Sequence, residues 1–203
     1  MTTKILFFGD SQFLIKNNPI DSEPKNLIML ISELLNEFNV SIYNYSNYGD
    51  TLFSFYDRYI KKGPLPLKEI DYIFIGFGTN DSNYYYSLNS FIESPNLHRE
   101  LLISIIEILF KTLSPKKILL FPSPPVRIRE DKKRDSLINN NIDMFNKIRK
   151  ELSLKYSHIE YINDLRFNKN LHIKNDGLHL NDKGILYSAL IINEYIKNLS
   201  GIS

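Results

Sequence analysis

Short, mostly apolar runs alternate along the chain with longer stretches in which apolar residues recur every three or four positions. The runs are Lys4–Phe8, Val40–Tyr45, Asp71–Gly76, Lys117–Phe121 and His158–Ile162. Each is short enough for a strand, and none shows the polar alternation of a sheet with one wet face. Between them the spacing predicts helices. Over Ser22–Phe38, Leu27, Leu30, Ile31, Leu34, Leu35 and Phe38 share one face, with Ser22 as N-cap and Pro24 in the first turn. Further helices are expected over Leu52–Ile60 (closed by Gly63-Pro64), Asn96–Leu113, Leu137–Leu154 and Asp182–Leu199. Wholly apolar strands, each followed by a helix, imply a parallel sheet covered on both faces. The expectation is an α/β fold: a doubly wound three-layer α/β/α sandwich on a central parallel sheet of about five strands. No internal repeat or linker divides residues 1–203, so one domain is expected.

Composition narrows the chemistry. Of 203 residues, 43% are hydrophobic and 24% charged, which is globular composition. The net charge of +2, with both signs mixed along the chain, gives no electrostatic case for nucleic acid or an anionic membrane. There is no cysteine, which removes disulfides, thiolate metal sites and cysteine nucleophiles. Neither a signal peptide nor an apolar stretch of the roughly 18 residues needed to span a bilayer is visible. A cytoplasmic location is therefore expected.

In parallel sheets ligands bind beyond the carboxyl ends of the strands. There the chain carries Gly9-Asp10-Ser11, then Asn44-Tyr45-Ser46-Asn47-Tyr48-Gly49-Asp50-Thr51, then Gly76-Phe77-Gly78-Thr79-Asn80-Asp81, and before the last helix Asn175-Asp176-Gly177-Leu178-His179. Taken singly, each is a turn signal. Together they supply what acyl transfer needs. A serine requires a base within hydrogen-bond reach, and the base requires a third group to fix its tautomer. Asp176 and His179, three residues apart, suit those two roles. Backbone N–H groups at glycine corners and the Asn80 amide suit an oxyanion.

These blocks resemble the SGNH hydrolases, the GDSL-type esterase and lipase superfamily, from residue 5 to about residue 190. The resemblance rests on Gly9-Asp10-Ser11, Gly49, Gly78-Thr79-Asn80-Asp81 and Asp176-Gly177-Leu178-His179. The second block departs from the family's Asn-x-Gly-x-Ser-Gly-x-Thr at Ser46 and Tyr48, and Gln12 stands where the GDSL string has leucine. The resemblance implies a flavodoxin-like fold and a serine esterase without a cofactor. It implies Ser11 as nucleophile, His179 as base and Asp176 as its support, with the N–H groups of Ser11 and Gly49 and the Asn80 amide as oxyanion donors. Gly9 is expected to let the chain bend tightly and Asp10 to orient the turn.

The small chain, with no obvious lid domain, favours short-chain or O-acetyl esters, carried by a small molecule or a carbohydrate. An acyltransferase that captures the acyl-enzyme with a sugar or amine, and a catalytically silent binding domain, are the alternatives. Two segments remain as substrate determinants. Asn83–Phe91 is expected to be an aromatic loop presenting Tyr84, Tyr85 and Tyr86. The loop from Pro122 to Arg134 offers Arg127 and Arg129 as an anion-recognition edge, or is a solvated charge run. His98, His158 and His172 have no metal-ligand spacing and are expected to be structural or at the surface, with no metal site. The sequence does not reveal an oligomeric state.

Overall fold

In the computed structural model, described for residues 2–13, 26–61, 67, 69–88 and 94–201, five parallel strands form one sheet in the order β2-β1-β3-β4-β5. The strands are β1 (Thr3–Gly9), β2 (Val40–Asn44), β3 (Tyr72–Gly76), β4 (Lys117–Leu120) and β5 (Ile159–Tyr161). The helices are α1 (Leu27–Leu34), α2 (Leu52–Phe55, continued by a π-helical turn over Tyr56–Ile60), α3 (Thr79–Ser87), α4 (Ser94–Leu113), α5 (Lys132–Lys155) and α6 (Asp182–Ser200).

Strand side chains alternate between faces, and both faces here are apolar. Leu6, Phe8, Ile73, Ile75, Ile118 and Leu120 pack under α2, α4 and α5, through Phe55, Leu102, Ile105, Leu109 and Phe145. Ile5, Phe7, Phe74, Leu119 and Phe121 pack under α1 and α6, through Leu27, Ile31, Ala189, Ile192 and Ile196. Two apolar faces, each roofed by helices, account for strands without polar alternation. The α/β/α sandwich expected from the pattern is the fold observed.

Three elements differ from expectation. Ser22, Pro24, Gly63 and Pro64 lie outside the described residues; within them α1 is capped by Asn26, whose side chain accepts from the Met29 N–H at 2.7 Å. The segment Asn83–Ser87, expected as loop, is the end of α3, while residues 89–91 of that segment lie outside the described part. Helix α5 starts at Lys132, inside the expected charged loop, because Asp131 caps it by accepting from the Arg134 N–H at 2.8 Å. Among the described residues no helix is long and apolar enough to cross a membrane.

Strand order reverses between β1 and β3, which makes their carboxyl ends the topological switch point. Gly9 of β1 pairs with Gly76 of β3 there. A Cβ on either glycine would fall 2.2 Å from the ring of the fully buried Phe13. Gly9 lets the chain fold back tightly here by lacking a side chain. Its φ is not in the left-handed region, and it is small so that Phe13 can lie across the strand ends.

Candidate active site

Four chain segments meet at this switch point. The first is the turn after β1. The Asp10 carboxylate accepts from the Gln12 N–H at 2.9 Å, and the Asp10 carbonyl accepts from the Phe13 N–H at 3.2 Å. This Asx-type turn holds Ser11 half-buried at the rim.

Across from it, Ser11 Oγ stands 3.0 Å from His179 Nε2, and His179 Nδ1 stands 2.8 Å from Asp176 Oδ2. With Nδ1–H donated to the carboxylate, Nε2 is left to accept from the serine hydroxyl. The other Asp176 oxygen accepts from the backbone N–H groups of Leu178 and His179 at 2.9 and 3.0 Å. Desolvation pushes the Asp176 carboxyl up, but these donors and the imidazole outweigh it and hold it below its ordinary value.

The loop after β2 brings Gly49, whose φ of 69° is in the left-handed region that favours glycine. Asp50, only 2% exposed, ties that loop to α2. Its two oxygens accept from the Arg58 guanidinium, both at 2.8 Å, and one also accepts from Ser54 Oγ at 3.1 Å. The Asp50 carbonyl in turn accepts from Asn80 Nδ2 at 3.2 Å, which leaves the second amide N–H of Asn80 available. Among the described residues, none accepts from the Ser11 or Gly49 backbone N–H. Ser11, Tyr48, Gly49, Asn80, Leu178 and His179 line one open hollow of about 230 Å³.

Beneath Asn80 the turn from β3 into α3 rests on a buried arginine. Arg149 of α5 is fully buried, and its guanidinium donates to the Phe77 carbonyl, to Ser123 Oγ at 2.7 Å and to Asn146 Oδ1 at 3.0 Å. Ser123 Oγ also donates to the Phe77 carbonyl, at 2.6 Å. Asp81, the residue after Asn80, is buried and accepts from the Leu52 N–H at 2.9 Å, fixing α3 against the start of α2. Burial pushes Asp10 up to about 7 and Asp81 up to about 6; Arg149 opposes the rise at both. Burial also pulls Arg149 down to about 10.

Sequence reasoning missed two supports of His179. Gln12 Nε2 donates to the Leu178 carbonyl at 3.0 Å, and Gln12 Oε1 accepts from the Leu180 N–H at 3.2 Å. One amide thus brackets the histidine on both sides. Arg127 also holds this loop. Its N–H donates to the Gly177 carbonyl at 2.8 Å, and its guanidinium donates to the carbonyls of Ile173 and Lys174 at 3.3 and 2.9 Å. The only signal for Gln12 was its adjacency to Ser11.

The remaining residues of interest lie elsewhere. Tyr85 is 9% exposed and packs on Phe145 in the core. Tyr84 is exposed, and Tyr86 lies under the Arg134 guanidinium, 5.2 Å from its ring centroid. None of the three tyrosines lines the hollow at Ser11. Arg127 and Arg129 line a second hollow beside it. His98 is fully buried and stacks on Phe145 with centroids 3.8 Å apart. Among the described residues no group of three or more histidines and acids is placed to hold a metal ion.

A parallel α/β/α domain with a serine, histidine and aspartate in hydrogen-bonded series at its switch point is a hydrolase of the serine class. The family model for GDSL-like Lipase/Acylhydrolase matches residues 5–191, and the chain belongs to that family: it is a serine ester hydrolase. Among solved structures, the acetylxylan esterase Axe2 from Geobacillus stearothermophilus is 17% identical, with a TM-score of 0.64 over 99% of this chain and 95% of that one. A catalytic mutant of the same enzyme gives 16% identity and a TM-score of 0.67 over 100% and 97%. A putative platelet activating factor from Streptococcus pneumonia is 24% identical, with a TM-score of 0.67 over 97% and 85%. No curated protein matches the sequence.

Proposed function

We propose that the chain hydrolyses short-chain acyl or O-acetyl esters, on a small molecule or a carbohydrate, through an acyl-enzyme on Ser11. The observation that carries this reading is the series Ser11 Oγ, His179 Nε2, His179 Nδ1, Asp176 Oδ2, with contacts of 3.0 and 2.8 Å. Ser11 Oγ attacks the acyl carbon while His179 Nε2 takes its proton, and Asp176 stabilises the imidazolium. The oxyanion accepts from the N–H groups of Ser11 and Gly49 and from the free N–H of the Asn80 amide. The imidazolium then returns its proton to the departing alcohol. Water attacks the acyl-enzyme, giving a proton to His179, and the acid leaves as Ser11 is reprotonated.

The size of the hollow supports a small acyl group. At about 230 Å³ it falls below the roughly 300 to 1,000 Å³ of pockets that enclose larger ligands. The likeness in fold to Axe2, an acetylxylan esterase, points the same way.

The test is a series of p-nitrophenyl esters of rising chain length, together with acetylated sugars, on wild type and Ser11→Ala. Acetate is expected to be turned over faster than long-chain esters. Ser11→Ala is expected to lose on the order of 10⁴-fold or more in kcat, since members of such a set act as a unit. A fluorophosphonate should label wild type and not the variant. Equal turnover by both proteins would rule out Ser11 as the nucleophile.

A further inference from the structure

The geometry points to an anion-binding subsite beside Ser11, which selects esters whose alcohol or acyl part carries a carboxylate or phosphate. This rests on the ester-hydrolase reading above and adds a substrate class to it.

A second hollow, of about 340 Å³, adjoins the first. Leu178 lines both hollows, and Asp176 lines the second while holding His179 at the edge of the first. Three arginines face this space, Arg127, Arg129 and Arg134, with Glu130 and Asp176 as opposing charges. Clustered arginines are often no more than a solvated face. Here their arrangement is different in three respects.

First, two of the guanidiniums are held in place by uncharged groups, so that position is fixed without neutralisation. Arg134 lies over the Tyr86 ring at 5.2 Å and donates to Asn83 Oδ1 at 3.3 Å. Arg127 donates to backbone carbonyls at 173 and 174, and its Nε is buried with no hydrogen-bond partner. Second, among the described residues no carboxylate lies within ion-pair distance of Arg127, Arg129 or Arg134. The nearby Asp135 is paired with Lys169 at 3.0 Å instead, and it accepts from the Ile128 N–H. Third, the Asp176 carboxylate, which lines the second hollow and not the first, does not pair with the arginines. Both oxygens of Asp176 are engaged by His179 and Leu178. A concave site faced by the guanidiniums of Arg129 and Arg134, with no carboxylate paired to them and the Arg127 charge behind them, suits a carboxylate or phosphate group. Because Leu178 lines both hollows, an anion held in the second can belong to the same substrate molecule as the ester at Ser11.

The experiment compares three acetyl esters: 4-acetoxybenzamide as the neutral reference, 4-acetoxybenzoate for the carboxylate and 4-acetoxyphenyl phosphate for the phosphate. Each is run on wild type and on Arg129→Ala/Arg134→Ala, two exposed positions where truncation does not open the core. The quantity read is kcat/KM for each anionic ester divided by that for the amide. Wild type is expected to favour at least one anion, and the double variant to lower that ratio about tenfold, as two charge-assisted contacts of modest strength are lost. The anion with the larger drop identifies the group the site accepts. Raising ionic strength should lower the wild-type ratio in the same direction, because the charges are partly open to solvent. A ratio the same in wild type and double variant for both anions overturns the subsite while leaving the hydrolase intact. No hydrolysis of any of the three esters by wild type overturns the hydrolase reading, and the subsite with it.

Discussion

Gln12 shows how a single side chain can hold the imidazole proposed as the base. His179 sits on a loop, and a loop imidazole needs its backbone fixed on both sides to hold a 3.0 Å contact with Ser11. The Gln12 amide does this by donating to the carbonyl before His179 and accepting from the N–H after it. It belongs to the same turn as Ser11, so the proposed nucleophile and the proposed base are joined through one residue. Gln12→Leu keeps the volume and breaks both bonds, leaving the Leu180 N–H unpaired in a buried place. We expect kcat on p-nitrophenyl acetate to fall about tenfold or more with KM little changed, because the loss is of positioning, not of ester binding. Gln12→Glu, which retains the acceptor but not the donor, should fall between the two. If Gln12→Leu has wild-type kcat, the bracket does not position His179. The residues that the fold brings together at the candidate site were legible in the sequence because each block is contiguous: Gly9-Asp10-Ser11, Gly78-Thr79-Asn80 and Asp176-Gly177-Leu178-His179. Gln12 was not, since its partners are 166 and 168 residues away.

At the scale of elements, the turn that presents Asn80 depends on a helix far along the chain. Arg149 projects from α5 and donates to the Phe77 carbonyl, while Gly78, with φ of 133°, leaves room for it. A Cβ on Gly78 would lie 2.1 Å from Ser123 Oγ and 2.9 Å from the Arg149 guanidinium. Arg149→Met removes three hydrogen bonds and leaves Asp10 and Asp81 buried without the cation that opposes their neutralisation. The expected cost is about 3 kcal/mol, read as a fall in Tm of roughly 5 to 10 °C. Activity at a temperature where the variant is folded should also drop, because Asn80 loses the support of its turn. A thermal melt and a kcat measurement check both, and an unchanged Tm would remove Arg149 from any structural role. Strands and long helices could be read from periodicity because burial of whole faces drives them. Helix α3 could not: Thr79–Ser87 has no apolar stripe, and its place is set by Asp81 on α2 and by Ser82 Oγ donating to the Ile138 carbonyl of α5. The first turn of α5 was hidden by its lysines and arginines, although Asp131 is an ordinary capping signal.

For the whole molecule, the acids buried under the rim couple folding to pH. Burial raises Asp10 to about 7, while an unfolded aspartate titrates near its ordinary value of 3.8. The groups acting on it are Asp81 and Asp50, which push the same way, and Arg149 and the Gln12 N–H, which oppose. Between these two values the folded protein holds a proton that the unfolded chain has lost, so stability falls as pH rises through that window. Above about pH 7 both states are ionised and the loss is complete. His98 acts in the opposite sense: burial, then the Arg149 charge, keeps it neutral far below its ordinary value, so its cost is largest in acid and fades as pH rises. The overall slope of stability with pH is therefore a balance in which Asp10 and Asp81, both raised by burial, oppose His98, and only a comparison separates them. Asp10→Asn keeps the acceptor for the Gln12 N–H and removes the titration, while leaving His98 unaltered. Its Tm relative to wild type should rise from pH 5 to pH 7, by roughly 5 °C, and level off above that. The measurement is a set of thermal melts of both proteins at matched ionic strength across pH 5 to 8. A Tm difference that stays constant over that range would mean Asp10 is ionised in the fold throughout. The turn that carries Ser11 would then hold a buried charge, opposed by the positive charge of Arg149.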